Sequence, residues 1–369
     1  MKLSSSEKQT LTDRGYTLSS KIGEGAYSEV YLSTYKQSPH KLACKIVDVP
    51  KSSATYVNKF LPRELNILMS VKSPYIVHIH SIFRRNLKYF IFMRHAEKGD
   101  LMDWIIAHGA VSQIQSKLWG KQIVEGLQYL HQNSIAHRDL KCENILITAR
   151  NNVKLTDFGF SRYITDTESD SKDDYNGYSE TFCGSLLYVA PEIVRGVAYN
   201  PYKSDMWSLG VVIFTMLNCK VPFNETHPSI IYKLQMSQKY RFNERVNSDE
   251  VKRLIKRLLQ PNPKERPSID TVLADHWFET DTSTEGLLSS MNLEDNSTEG
   301  DATNVKQVKE PNPPLVVIMR TDDSLDVSES KIDIDQPNRE VEEIEETEDE
   351  MTDSHTGIRI ISKSTINDA

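Results

Sequence analysis

Cysteine is scarce in this chain of 369 residues, and the four present, Cys44, Cys142, Cys183 and Cys219, form no C-x-x-C pair. That spacing argues against a disulfide framework or a structural zinc site and makes reduced, cytoplasmic thiols the expectation. Long apolar runs are missing too. The longest, residues 209–217, is too short to span a bilayer and reads as a buried helix, so no membrane partner is expected. The stretch MKLSSSEKQTLTDRGY at the N-terminus lacks an apolar h-region, and no secretory signal is expected from it. No segment interleaves dense Lys and Arg with aromatics, which argues against nucleic acid as a partner. Internal repeats are absent, and a monomer is expected.

What is present divides in two. The formal net charge of −8 hides an asymmetry: residues 279–369 hold 24 Asp and Glu against 7 Lys and Arg, a net of −17. Residues 1–278 hold 28 against 37, a net of +9. The acidic stretch is dominated by Ser, Thr, Asp, Glu and Asn and broken by Pro311-Asn-Pro-Pro314. Such a composition buries too little apolar area to offset its ordering entropy, so a disordered tail, dispensable for chemistry, is expected. Residues 1–15 are expected to be an N-terminal extension. From residue 16 to about 93, apolar residues alternate around Gly23, Gly25, Ser38 and Pro39, a strand signal. From about 97 to 278 the signals are helical: Trp119, Ile123, Leu127 and Leu130 share one face, and Val251, Leu254, Ile255 and Leu258 another. Strands first and helices later predict an α+β, bilobal fold, a small antiparallel sheet resting on a larger helical lobe.

Four short stretches carry chemistry. Ile22-Gly-Glu-Gly-Ala-Tyr-Ser-Glu-Val30 is a glycine-rich turn between strands, where backbone lacking Cβ can approach phosphate; taken alone it is also compatible with an ordinary hairpin. A dinucleotide fold is disfavoured, because a strand and not a helix follows. Lys45, in the otherwise apolar Ala43-Cys-Lys45, needs an anion if buried or a snorkelling route to water if not. The candidate carboxylate is Glu64, which Pro62 places in the first turn of a helix. His137-Arg-Asp-Leu-Lys-Cys-Glu-Asn144 then joins a helix to the strand pair 145–147 and 153–155, and Asp157-Phe-Gly159 follows. A charge cluster between apolar elements is expensive unless its members pair or bind ions. Asp139 can orient a hydroxyl and take its proton, Lys141 can neutralise a transferring phosphoryl group, and Asn144 and Asp157 offer oxygens to magnesium.

In these motifs, in order and spacing, the chain from about residue 16 to 278 resembles the eukaryotic protein kinases. The resemblance implies that ATP and Mg2+ are the cofactors and that protein Ser/Thr residues are the acceptors. It implies that Lys45 binds the α/β-phosphates and pairs with Glu64, that Asp139 is the catalytic base assisted by Lys141, and that Asn144 and Asp157 hold the metal. Gly23 and Gly25 become the phosphate lid. Ile22, Val30, Ala43 and Leu146 line the adenine pocket with Met93 as its gatekeeper and Ala96 beside the hinge. Ala190-Pro-Glu192 closes the activation segment, Glu192 pairs with Arg266, and Asp205 supports the catalytic loop. Lys141 together with Cys183-Gly-Ser185 is similar to serine/threonine rather than tyrosine kinases. Phe60-Leu-Pro-Arg-Glu-Leu65, Asp139-Leu-Lys-Cys-Glu-Asn144 and Lys154-Leu-Thr-Asp-Phe-Gly-Phe160 are similar to the testis-specific serine/threonine kinases, near the calmodulin-dependent and AMP-activated groups, which implies a role in spermatogenesis.

Two departures stand out: Ser28 replaces the third glycine of the lid, and Arg94 occupies a hinge position that is commonly acidic. Glu143 and Asp100 match positions facing substrate residues upstream of the acceptor, which implies a preference for arginine there. Thr181 matches an activating phosphosite, opposite Arg138 and served by an upstream kinase or by autophosphorylation, while the 166–180 insert reads as a solvated loop. The competing function is a pseudokinase scaffold that acts by binding; retention of Lys45, Glu64, Asp139, Asn144 and Asp157 speaks against it.

Overall fold

The computed structural model describes residues 3–25, 27–164, 179 and 184–279, together with the backbone of Val317–Ile318. The N-terminal extension is not featureless. Ser4 and Glu7 form a reciprocal capping box that starts α1 (Ser5–Asp13), satisfying two of the N–H groups a helix start leaves without partners. Leu11 of this helix enters an aromatic-rich cluster with Tyr16, Leu42, Phe83, Phe90 and Phe92, and the buried Glu7 pairs with Lys88 at 3.0 Å. Gly15, at φ +82°, turns the chain out of α1; a Cβ there would meet the Lys36 side chain at 2.7 Å.

β1 (Tyr16–Glu24), β2 (Ser28–Tyr35) and β3 (Ser38–Asp48) form a meander, as the alternation predicts. β4 (Ile79–Arg85) and β5 (Lys88–Arg94) complete an antiparallel sheet in the order β1-β2-β3-β5-β4. Register places Val30 opposite Lys45 and Ala43 opposite Met93. The backbone of β10 (Val317–Ile318) pairs in parallel with β4, Val317 opposite Ile82. Between β3 and β4 lies α2 (Leu61–Ser70), with Pro62 and Glu64 in its first turn as expected, but α2 does not start from a loop. Helical backbone already begins at residue 54 and passes through a π-helical turn, Tyr56–Phe60, before α2. Pro62 therefore sits within a longer helical stretch; its missing N–H falls next to a turn whose bonding pattern is already shifted.

The second lobe is helical: α3 (Leu101–His108), α4 (Gln113–Gln132), α5 (Pro191–Val194), α6 (Pro201–Asn218), α7 (Pro228–Met236), α8 (Asp249–Leu258) and α9 (Ile269–Leu273). The apolar run 209–217 lies in α6, which is buried from Ser204 to Asn218 and packs against α4 and α8. Gly210 permits the closest crossing: a Cβ there would lie 2.8 Å from Leu258 on α8. Among the described residues no helix is long and apolar enough to cross a membrane. Two small ladders, β6 (Ile135–Ala136) with β9 (Arg162–Tyr163) and β7 (Ile145–Ile147) with β8 (Val153–Leu155), anchor the loops that carry the charged motifs.

Candidate active site

Lys45 points from β3 toward α2, and its Nζ donates to Glu64 Oε1 at 2.7 Å and lies 3.3 Å from Asp157 Oδ1. Glu64 is 1% exposed, so its charge is tolerable only because it is paired. Burial alone would lower the Lys45 pKa; the carboxylates of Asp157 and Glu64 outweigh it, and the net shift is well upward. Asp157 responds in the opposite sense. Lys45 beside it holds its carboxyl below the usual range despite desolvation, and the side chain keeps 42% exposure. Asp157 also adopts φ +62°, a left-handed conformation that costs a non-glycine residue about 1–3 kcal/mol and is held by the surrounding fold. Phe158 next to it is fully buried, its ring 5.3 Å from that of His137.

The loop between β6 and β7 is fixed from beneath by Asp205 of α6. Its buried carboxylate accepts from the N–H groups of His137 at 2.9 Å and Arg138 at 2.8 Å and contacts His131 Nε2 at 3.0 Å. Those bonds hold Arg138 at φ +66°, a second left-handed residue of the site. Asp139 is then oriented by three donors: Ser185 N–H to Oδ1 at 3.2 Å, Asn144 Nδ2 to Oδ2 at 3.0 Å and Lys141 Nζ to Oδ2 at 2.9 Å. Lys141 also donates to Ser185 Oγ at 2.9 Å. Burial pulls the Lys141 pKa down, but Asp139 more than restores it and the net shift is upward. Asn144 spends its amide nitrogen on the carbonyl and carboxylate of Asp139, leaving the carbonyl oxygen as the available acceptor.

A buried Lys–Glu pair, a metal-type carboxylate and a clamped loop carboxylate thus lie along one cleft between sheet and helices, within a chain that matches the protein kinase domain over residues 16–278. The chain belongs to the protein kinase family. Curated relatives agree. The chain is 34% identical to human testis-specific serine/threonine-protein kinase 4 over 275 residues, 72% of this chain and 83% of that protein. It is 36% identical to mouse testis-specific serine/threonine-protein kinase 3 over 270 residues, 73% of this chain and 97% of the relative. With mouse testis-specific serine/threonine-protein kinase 1 it shares 34% over 273 residues, 73% of each chain.

In this kinase the remaining predicted residues fall as follows. Ala43 and Met93 face each other across β3 and β5, Val30 is the cross-strand neighbour of Lys45, and Leu146 of β7 bridges to Asp100. Ile22 is 46% exposed at the mouth, and Ala96 lies just past β5. Hinge backbone is engaged beyond the cleft, Arg94 N–H to His78 O and His95 N–H to Lys41 O. Ser28 closes the glycine-rich turn by accepting Gly25 N–H at 2.8 Å, and its Oγ would lie 3.1 Å from a Cβ at Gly25. Arg266 grips Glu192 through two bonds of 2.6 Å, as predicted. Thr181 and the insert 166–180, Ser179 excepted, lie outside the described residues. Three features escaped the sequence reading. Ser179 Oγ accepts from Arg138 Nη2 at 3.0 Å beside Tyr199; Asp100 is the N-cap of α3; and Tyr56 donates to Glu64. The Asp100-Leu-Met-Asp103 pattern could have announced the cap; nothing in the sequence announces the other two.

Proposed function

We propose that this chain transfers the γ-phosphoryl group of Mg·ATP to serine and threonine hydroxyls of protein substrates. The observation that carries the proposal is the clamped Asp139 carboxylate facing the same cleft as the Lys45–Glu64 pair and Asp157. The donor set fits magnesium and nucleotide: Asn144 Oδ1 and the Asp157 carboxylate are hard oxygens. Two protein oxygens completed by phosphate and water is the arrangement magnesium favours at nucleotide sites. When bound, Mg·ATP supplies the transferable phosphoryl group and the charge shielding its transfer requires.

Lys45, kept cationic by its two carboxylates, holds phosphate oxygens, and the N–H groups around Gly23 and Gly25 cover them. Asp139 accepts the hydrogen bond of the incoming hydroxyl and takes its proton as the new P–O bond forms and the bond from the γ-phosphorus to the β,γ-bridging oxygen breaks, with ADP as the leaving group. Lys141 balances charge on the phosphoryl oxygens. Glu143 and Asp100 receive a basic residue upstream of the acceptor. Burial raises the pKa of both carboxyls, and for Glu143, which reaches solvent at the rim, Asp100 adds like charge against the opposing pull of Lys141. Thr181, two residues after the Arg138-bound Ser179, is the proposed activating phosphosite, modified by an upstream kinase or by the chain itself.

We further propose a cytoplasmic location, which the free thiols Cys44 and Cys142 suit, a monomeric state, which the sequence leads us to expect, and a role in spermatogenesis, on the names of its relatives. Imaging of a tagged chain, light scattering and expression in testis test these; exclusion from cytoplasm, a stable dimer or absence from testis would refute them in turn. A peptide-library assay of wild type against Lys45→Met tests the reaction. Wild type is expected to phosphorylate Ser/Thr peptides at roughly 1–100 s⁻¹ when fully active, and Lys45→Met at a small fraction of that; a wild type that binds peptides without transferring phosphate is a scaffold.

A further inference from the structure

The Glu64 carboxylate is held at both ends. Lys45 takes Oε1, and the Tyr56 hydroxyl donates to Oε2 at 3.1 Å. Tyr56 lies eight residues before Glu64, which on a regular α-helix leaves the two roughly 80° apart in rotation. The π-helical turn Tyr56–Phe60 removes that offset, because its wider turn returns Tyr56 to the face that carries Glu64. The irregularity is thus what permits the bond. Burial, and then the adjacent Glu64 carboxylate, push the Tyr56 pKa up, so the phenol remains a donor across the physiological range.

The ring has a second partner. Its centroid lies 5.3 Å from that of Tyr27, tilted by 33°, and Tyr27 belongs to the glycine-rich turn between β1 and β2. Tyr27 O also accepts Asp48 N–H at 3.2 Å, which ties that turn to the end of β3. An unbroken path of contacts therefore runs from the turn through Tyr27, Tyr56 and Glu64 to Lys45.

We propose that Tyr56 is a positioning residue: its hydroxyl fixes the Glu64 carboxylate for Lys45, and its ring couples that pair to the glycine-rich turn. The role deepens the nucleotide reading above and rests on it. Tyr56→Phe is the informative change, because it keeps the ring against Tyr27 and removes only the donor to Glu64. Mg·ADP affinity, and kcat and KM for ATP, are to be measured on the full chain for wild type, Tyr56→Phe, Glu64→Gln and the double variant, with melting temperature alongside. Losing one hydrogen bond to a charged group is expected to lower ADP affinity and kcat/KM for ATP about 5- to 10-fold, mostly through KM, with the melting temperature little changed. In the Glu64→Gln background the same change is expected to have little further effect, because the two act through one carboxylate. Tyr56→Phe indistinguishable from wild type, or an equal loss with and without Glu64, would overturn the role of Tyr56 while leaving the nucleotide reading intact. A wild type that binds no Mg·ADP would overturn both.

Discussion

Burial pulls the Lys45 pKa down and the carboxylates of Asp157 and Glu64 more than reverse it, while Lys45 in turn lowers the pKa of Asp157; the site is a set of mutually dependent charges. Glu143 is the exception, a rim carboxyl whose pKa is raised by desolvation and by Asp100. The sign matters for specificity. Glu143 attracts a basic substrate only when ionised, so the attraction is present above its raised pKa and is lost as pH falls through it, at a higher pH than for an ordinary glutamate. Asp157, shifted down, stays charged over the same interval. The ratio of kcat/KM for peptides with arginine or alanine upstream of the acceptor is therefore expected to shrink on acidification before transfer itself fails. In Glu143→Gln it is expected to be roughly ten-fold smaller, with only the weaker acid dependence that Asp100 retains. A ratio unchanged by both acid and the substitution removes Glu143 from substrate recognition.

At the scale of elements, the strands and the charged loops were legible because their signals are local. In β3 the alternate residues Leu42, Cys44 and Ile46 enter one apolar cluster and Ala43 and Val47 the other, so the strand is buried on both faces, and the histidine-to-asparagine stretch 137–144 falls between β6 and β7. Pro62 and Glu64 do fall in the first turn of α2, but nothing in the sequence encodes the π-helical turn ahead of it. The first helix, α1, was missed because it is mostly polar. Its Ser4/Glu7 box was readable, but the docking of Leu11 depends on aromatics from β1, β4 and β5 far along the chain. This packing has a measurable consequence. Leu11→Ala is expected to destabilise the protein by about 2–4 kcal/mol in chemical denaturation while leaving kcat near wild type. A cost near zero would mean that α1 is not part of the cooperative fold. Glu7 adds an acid dependence. Burial opposes its ionisation, but the Ser4 N–H and Lys88 prevail and its pKa is lowered. Its contribution is thus present above the ordinary glutamate pKa and fades as pH falls through the lowered one.

At the scale of the molecule, the bilobal plan followed from the order of strand and helix signals, and α6 as a buried helix followed from a single apolar run. Regulation was less legible, because Arg138 meets its partners Ser179 and Tyr199 only after the chain has folded back on itself. A phosphate on Thr181 would add about two negative charges two residues along the chain from Ser179. Thr181→Ala is expected to be on the order of ten-fold less active than phosphorylated wild type and to match wild type treated with phosphatase. Equal activity in all samples leaves the site no regulatory part.

Phosphoryl transfer through Asp139 is tested most directly by comparing wild type with Asp139→Asn, measuring transfer from labelled ATP to a Ser/Thr peptide together with Mg·ADP affinity. Asparagine keeps the size of the side chain but can neither take the proton nor pair with Lys141. The expected result is loss of transfer by about 100-fold or more with nucleotide affinity within a few-fold of wild type. Transfer at the wild-type rate by Asp139→Asn would contradict the assignment of this carboxylate as the base and, with it, the chemistry proposed for the cleft.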